Sequence, residues 1–571
     1  MLGPRKLAVL RIVAAVWVSG CGARGGLSVP TGEDASIDSG AARIEDAARP
    51  MDSGMDAGVV LPVDAGPVGA PLNDASTDAT GSGGADGGDD ASTDGDAARC
   101  DVRQSSCGGR CVNTDGSVEH CGGCGRRCGS DQRCVAGTCE CSAGETFCES
   151  ACVDTSRSDR HCGGCDSLCL APATCDDGAC RCPPGFLLCA GRCVDPETDR
   201  LHCGGCGVVC DVRCDAGVCL DVVSHDVSRT FSSAALSDGS VWSWGSCREN
   251  QCGALGVATH SRPQRVEGVD EVVSVATGSA AVCALRRDGT VWCWGEGQAA
   301  GLLGDADPNP NPLAGLDSVT QLEAGGAVMC AIRSEGDVWC WGVSVSGMFG
   351  SGSGALRQAP RPIRIEGIPP ASAISIGQHH ICTVSVDTSL YCWGENVRGQ
   401  LGRGYVSQPE TPAPVAEIAS ARAVSALEWG TCALDAEGRA YCWGGDAFGS
   451  RGDGAGADLF DDPTPRPVDS GVTGFVSLQA AAVTTCALTP DGEAWCWGNG
   501  QYGAMAHGSR EHASSPIRPS DLGTIEAVRL AKTSICIQSA EHGLRCAGWN
   551  YNSTVGDGTT DVRLRPSAVE W

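Results

Sequence analysis

Lysine is almost missing from this chain. Lys6 and Lys532 are the whole complement, and the other basic side chains are arginines scattered without a Lys/Arg run. With a net charge of -29, the protein offers no clustered basic surface, which argues against nucleic acid or anionic lipid as a partner. Long apolar runs are also lacking after the N-terminal segment, so nothing later in the sequence is built to span a bilayer as a helix. Residues 22–99 contain no Cys, His, Lys or aromatic residue and consist mainly of Ala, Asp, Gly, Ser, Thr and Pro. Such a stretch cannot bury enough apolar area to offset its ordering entropy, and it reads as a disordered, self-repelling tether. Its Asp residues lack the regular spacing that would converge on one calcium ion.

Cysteine, by contrast, is abundant, at 39 residues, a number that a reducing cytosol would not keep oxidised. The N-terminus agrees with export. Arg5, Lys6 and Arg11 form a basic region, Ile12–Val18 a short apolar run, and Val18-Ser19-Gly20-Cys21 closes it. That ending resembles the lipobox of bacterial lipoproteins. The resemblance implies that residues 1–20 are a signal peptide, that Cys21 is lipidated on its thiol, and that 21–99 is the linker behind the anchor. A diacyl chain buries roughly 0.8 kcal/mol per methylene, enough to hold a protein on a membrane without a spanning helix. Gly22 after the anchored cysteine, rather than Asp, points to the outer membrane by analogy with enteric bacteria.

Setting Cys21 aside leaves an even number of cysteines. From Cys100 they recur with a period of 41 residues, seen at Cys100, Cys141 and Cys182 and again at Cys121, Cys162 and Cys203. Each of the three units in 100–220 has eight cysteines framed by Cys-Val-Asn/Asp and His-Cys-Gly-Gly-Cys, the latter at 120–124, 161–165 and 202–206. About forty residues with few large apolar side chains cannot stabilise themselves by a core, so crosslinks must substitute. Eight thiols, export and a single His per unit favour four disulfides over a zinc site, with connectivity left open. His120, His161 and His202 then read as turn residues. The units resemble the cysteine-rich repeats of plant stigma-specific proteins, which implies a rigid extracellular spacer or binding module and no chemistry.

A second period, of roughly fifty residues, runs through 221–571. Cys-Trp-Gly recurs at 293–295, 340–342, 392–394, 442–444 and 496–498, with degenerate copies at Ser243-Trp244-Gly245 and Cys546-Ala547-Gly548. Repeats of this length bury their apolar faces only against their neighbours. Short alternating runs separated by Gly, Pro and Asp turns are strand patterning, four runs per unit, so the expected fold is all-β: a seven-bladed β-propeller preceded by disulfide-rich repeats and a disordered tether. In blade four, the four runs read as Pro362–Ile365, Ile374–Gly377, Ile381–Val384 and Leu390–Gly394.

Asp-Gly or Glu-Gly stands between the last two runs at 238–239, 288–289, 335–336, 437–438 and 491–492, where glycine accepts the positive φ of a tight hairpin. Two cysteines bracket that hairpin in six blades: Cys283 and Cys293, Cys330 and Cys340, Cys382 and Cys392, Cys432 and Cys442, Cys486 and Cys496, and Cys536 and Cys546. Blade one, with a shortened hairpin, has Ala234 and Ser243 instead. The joint loss favours cross-strand bonds within each hairpin over bonds between blades. Cys247 and Cys252 remain to staple the loop after blade one. Each later blade opens on a Pro-containing strand such as 263–266, none precedes Val222, and 566–571 is expected to complete blade one and so remove the open edges.

The phrase from Trp393 to Gly402, with weaker copies at 294–304 and 548–556, resembles the repeat of the regulator of chromosome condensation family. The resemblance implies a propeller used as a flat, multivalent surface, with the Trp, Gly and Asn positions packing blades and shaping turns. One nuclear member promotes nucleotide exchange on a small GTPase and binds chromatin, a role that export and acidity argue against here. A secreted bacterial member inhibits β-lactamases.

No catalytic constellation is recognisable. His225, His260, His379, His380, His507, His512 and His542 are scattered over different blades, and His380, two before Cys382, reads as a packing residue. Asp305, Asp307, Asn309 and Asn311 alternate like the start of a calcium loop, but no Glu closes it and prolines interrupt it. The hairpins do not carry the sialidase Asp-box pattern. The expectation is a non-enzymatic, cofactor-free and metal-free lipoprotein of the cell envelope that binds an unidentified protein or glycan. An envelope hydrolase or lyase with its site at the propeller channel is the rival, favoured if carboxylates or His cluster there. A purely structural envelope component is a third.

Overall fold

A computed structural model describes residues 100–571 except 254–257, 302–306, 345, 353–355, 457–460 and 520–521. The signal segment, Cys21, the tether and Asp305 lie outside the described residues. What is described is all-β, with one short 3-10 turn at Ala447–Gly449 and no α-helix.

Each cysteine-rich module is a pair of small hairpins, such as Gln104–Cys107 with Arg110–Asn113 and Arg133–Val135 with Thr138–Glu140. Their disulfides follow one pattern. In the first module Cys100 joins Cys111, Cys107 joins Cys124, Cys121 joins Cys134 and Cys128 joins Cys139, and the next two modules repeat that order. Three sulfur triplets, Cys121/Cys128/Cys139, Cys162/Cys169/Cys175 and Cys203/Cys210/Cys214, have metal-like proximity, but every sulfur in them is already half of a disulfide. The His-Cys-Gly-Gly-Cys frame has a local cause. The Nδ1 atoms of His120, His161 and His202 accept the backbone N–H of Gly125, Asp166 and Gly207 at 2.9–3.0 Å, and a Cβ on Gly122 would collide with the carbonyl of Gly137.

Residues 222–568 form seven four-stranded antiparallel sheets. Blade one is Val222–Val227, Phe231–Leu236, Val241–Ser246 and Thr259–Val266. Blade seven is Ile525–Leu530, Ser534–Ser539, Gly543–Gly548 and Arg563–Ala568. The first strands ring the axis and touch one another from blade to blade. This frame corrects the phase read from the sequence. The proline-containing strands do not open blades; they close them as outer strands, so 362–365 belongs largely with blade three, whose outer strand is Gln358–Arg364, and Arg563–Ala568 pairs with Gly543–Gly548 rather than with blade one. Proline lacks the ladder N–H and is tolerated at a sheet edge, where it also blunts the edge against further pairing.

Without strand exchange, the ring closes through buried side chains and a backbone bond in which Gly558 N–H donates to Ser261 O at 3.0 Å. In blades two, four, five and six the tryptophan before the strand-ending glycine is fully buried and reaches the preceding blade: Trp294 Nε1 donates to Gln251 O at 2.9 Å, Trp393 to Met348 O at 2.7 Å, Trp443 to Gln400 O at 2.9 Å and Trp497 to Ser450 O at 3.0 Å, whereas Nε1 of the equally buried Trp341 meets no acceptor among the described residues. Trp244 of blade one donates to Thr554 O of blade seven at 2.9 Å, so the seam uses the same device as those four junctions. Beneath Trp244, Trp341, Trp443 and Trp497 the loop residue has to be glycine, since a Cβ on Gly402, for example, would sit 2.7 Å from Trp443 Nε1. At the junction of blades six and seven Ala547 replaces tryptophan, and the fully buried Met505 fills the same cluster. Trp571 packs edge-on against Trp242 and Trp244. Module three completes the seam: Val212 and Leu220 join the cluster of Val222, Trp244, Leu544 and Val569, and the Arg213 guanidinium lies 5.0 Å from the Trp242 ring centre.

The hairpin cysteines are direct cross-strand neighbours. Cys283–Cys293, Cys330–Cys340, Cys382–Cys392, Cys432–Cys442, Cys486–Cys496 and Cys536–Cys546 are bonded at a Cα separation of 4.1 Å, and Cys247 is bonded to Cys252. In blade one the register places Ser233, not Ala234, opposite Ser243. The hairpin there spans the same length as the others, and the two half-cystines are replaced by two serines rather than lost with a shortening.

A candidate ligand-binding face around the channel

Antiparallel alternation fixes which loops share a face. The turn after each first strand and the loop after each Trp-Gly lie at the same end of the blade, here termed the loop face. Module three sits against the other end, where Asp211 meets Gly543 and Leu220 leads straight into Val222. The loop face is thus left to the turns and the long loops, the usual place for function on a rigid scaffold.

At its centre the channel opens into a cavity of about 310 Å³ lined by the ends of all seven first strands. One repeat position contributes from six of the seven blades, the exception being blade two, where Ala276 is buried in the blade packing and Thr277 lines the cavity instead. That position is the residue paired across the ladder with the first hairpin cysteine, or with Ser233 in blade one: Asp226, Ala276, Glu323, Ser375, Ser425, Gln479 and Arg529. Three residues further on, the turns supply an outer tier with Arg229, Gln378, Glu428 and Lys532 as its long polar members. Lys532 Nζ and Glu428 Oε2 form an ion pair at 2.9 Å across the mouth.

The inner tier is electrostatically strained. Asp226 accepts the N–H of Val227 and of Thr277 at 2.9 and 2.7 Å, yet burial pushes its carboxyl up to about 6 against the opposing pull of Arg529. Glu323 is pushed up to about 7, first by burial and further by the charge of Asp226, with Arg529 again opposing. Both side chains keep some accessible surface, but protein encloses them on all sides except the channel, and enclosure governs their titration. Among the described residues no carboxylate lies within 4.0 Å of the Arg529 guanidinium, whose one hydrogen bond runs to its neighbour's carbonyl, Val528 O, at 3.2 Å.

Around the mouth stand the aromatic residues that the blade packing does not use. His379 stacks on Trp429 at 4.5 Å, with the Arg398 guanidinium 5.8 Å from the Trp429 ring centre; Phe448 meets His512 at 4.7 Å; Trp549 meets Tyr502 at 5.2 Å and Tyr551 at 6.4 Å. Tyr551 is 74% exposed, Phe448 39% and Trp549 38%. Aromatic rings with free faces and polar tips are the usual anchors of recognition surfaces.

The histidines expected to be scattered are scattered. His380 is fully buried, held near 3 by burial, and bonds Thr431 of the next blade at 2.7 Å, which is a packing role. His379, its neighbour, faces the loop surface and contacts Ser346 and Glu395. His225 is likewise held near 3, mainly by burial. Asp307 spends both oxygens on Asn309 and Asn311, and all three lie in the outer strand of blade two, Asp307–Pro312, rather than in a calcium loop. Asn396 and Asn550 shape their loops by accepting the N–H of Leu401 and Val555.

The charged tier forms no local sequence motif, because its members lie about fifty residues apart and share only a repeat position. The signal was present, since each of these residues stands seven before the first hairpin cysteine or Ser233.

The model of the Regulator of chromosome condensation (RCC1) repeat matches residues 238–285 and 387–434, and a second model of that repeat matches 272–299 and 483–504. The propeller carries RCC1 repeats. The model of the Stigma-specific STIG1-like protein family matches residues 88–142, over the first cysteine-rich module. E3 ubiquitin-protein ligase HERC2 of Mus musculus is 27% identical over 346 residues, and that of Homo sapiens 28%; the match takes in 59% of this chain and 5% of either relative, so the chain spans a small fraction of their length. Among solved structures, the RCC1-repeat propeller is similar to Prp20p of Saccharomyces cerevisiae, studied for its binding to Gsp1p and histones, at 18% identity and TM-score 0.52, over 58% of this chain and 86% of that one. It is similar to human WBSCR16 at 17% identity and TM-score 0.51, over 58% and 94%. At such identities the likeness shows the fold alone.

Proposed function

We propose that this protein is an extracytoplasmic lipoprotein, anchored through Cys21 and extended by its acidic tether, whose RCC1-repeat propeller binds a protein or glycan through the loop face. The observation that carries this reading is the distribution of aromatic side chains. Apart from the hairpin tryptophans and Trp571, the propeller's described tryptophans are Trp429 and Trp549, and both stand on the loop face beside Tyr502, Tyr551 and Phe448. Packing does not need them there, and module three occupies the other end. The relatives support the choice of a binding module, since Prp20p is described by its binding to Gsp1p and histones. Disulfide bonding of every described cysteine suits an oxidising compartment, in keeping with an envelope location.

The test is capture from cell-envelope and culture-fluid extracts on wild-type protein and on a Trp429→Ala/Trp549→Ala/Tyr551→Ala variant. A stoichiometric ligand held by the wild type and lost from the variant is expected; equal capture by both would sink the loop-face reading. Anchoring is tested separately, since Cys21→Ser should move the protein from the membrane to the soluble fraction.

The enclosed carboxylates Asp226 and Glu323 favour a second reading, an envelope hydrolase or lyase at the channel. Turnover of envelope polysaccharide or peptide that disappears in Glu323→Gln would establish it.

A further inference from the structure

The axial cavity has a composition of its own. Its inner tier has two carboxyl groups, one donor-only guanidinium, the amide of Gln479, which both donates and accepts, and the hydroxyls of Ser375 and Ser425, which bond the backbone of Ala426 and Ala480 in the next blade. Its outer tier has two cationic groups and one carboxylate, with Gln378 between them. Formal charges across the two tiers cancel, so the site does not select an ion by net charge. The ring position at the axis is polar in six of seven blades, with apolar Ile376, Leu427 and Leu530 between the polar groups, so the lining offers hydrogen bonds beside apolar contact. What such a lining complements is a neutral molecule with many groups that each donate and accept a hydrogen bond, which is the description of a sugar hydroxyl. The cavity, at about 310 Å³, lies at the small end of the range for small-molecule sites, about 300–1,000 Å³.

The rim adds a second, separate feature. Exposed aromatic rings beyond the mouth, at Trp549 and Tyr551, suit the C–H face of a pyranose that continues out of the cavity. The Arg529 guanidinium and the Glu323 carboxylate meet no side-chain partner among the described residues, and thus remain available to hydroxyl groups.

We infer that the propeller channel is a saccharide site, in which Asp226, Glu323 and Arg529 hold the hydroxyls of a terminal neutral sugar and the aromatic rim stacks the units behind it. This rests on the binding-module reading and narrows its ligand to a glycan end. The proposal involves no bond making or breaking.

Saturation-transfer NMR and calorimetry on the full chain test it, with cellobiose, maltose and N,N′-diacetylchitobiose as neutral probes and free arginine and inorganic phosphate as charged ones. At least one disaccharide should bind, with affinity falling tenfold or more in Glu323→Gln and in Arg529→Met and unchanged in Val386→Ser, which lies at the opposite end of blade four. Circular dichroism and melting temperature show whether each variant is folded, and Glu323→Gln, nearly isosteric, keeps the comparison valid if Arg529→Met is not. Binding of phosphate or arginine alone would overturn the assignment in favour of an ion site. So would saccharide binding indifferent to both channel variants, or no saccharide binding. If extracts still yield a ligand sensitive to the rim variant while the disaccharides fail, the saccharide assignment falls and the binding module stands.

Discussion

At the scale of single residues, the sharpest consequences come from groups whose surroundings oppose their ordinary chemistry. Glu323 titrates near 7 in the folded chain against 4.5 for the free side chain, so the folded state holds its proton more tightly. Its contribution to stability is complete below about pH 4.5 and is lost as pH rises through 7. Glu323→Gln should therefore raise stability at pH 8 by about 1–3 kcal/mol and leave it nearly unchanged at pH 4, as read by melting temperature across pH. His380 runs the other way. Its imidazole is held near 3, so stability falls as pH drops from 6.5 toward 3, and the acid limb should be shallower in His380→Gln than in the wild type. Trp443→Ala should cost about 3–5 kcal/mol, and Gly402→Ala about 1–3 kcal/mol through the collision with the same ring, both measured by denaturant unfolding.

At the scale of elements, the two crosslinked layers differ in what they would lose on reduction. The modules have sulfur for a core, whereas each blade also shares an apolar cluster with its neighbour. Mild reduction should unfold 100–220 while the propeller keeps its far-ultraviolet signature. Removing one hairpin bond by Cys382→Ala/Cys392→Ala should cost about 2–3 kcal/mol. Peptide mapping under non-reducing conditions checks the bonds themselves and would expose any exchange between blades.

This is also the scale at which the sequence was most and least informative. Trp-Gly and Asp-Gly mark strand ends by local backbone demand, so seven blades were visible. The phase of the blades was not, because a proline-containing strand satisfies the edge of one blade or the start of the next equally well until its partner is known. The disulfide order in the modules was hidden for a similar reason, since eight equivalent thiols carry no label. The channel tier was legible once the residues were aligned on the hairpin cysteine, because strand register holds them in one ring.

For the whole molecule, ring closure and exposure decide the account. Closure rests on Trp244, Trp571 and module three rather than on an exchanged strand. Deleting 563–571 should thus speed amide exchange in Gly543–Gly548 and leave the outer pairing of Val241–Ser246 protected. With module three at one end of the disc, the loop face and its channel are left open at the other, and it is there that the proposed ligand is expected to bind. Hydroxyl-radical footprinting of the full chain, alone and with the ligand fraction eluted from envelope extract, tests it most directly. Protection is predicted at Trp429, Phe448, Trp549 and Tyr551, with none at Val223, Val273 and Val386 on the far side. Protection confined to that far side or to the cysteine-rich modules would contradict it.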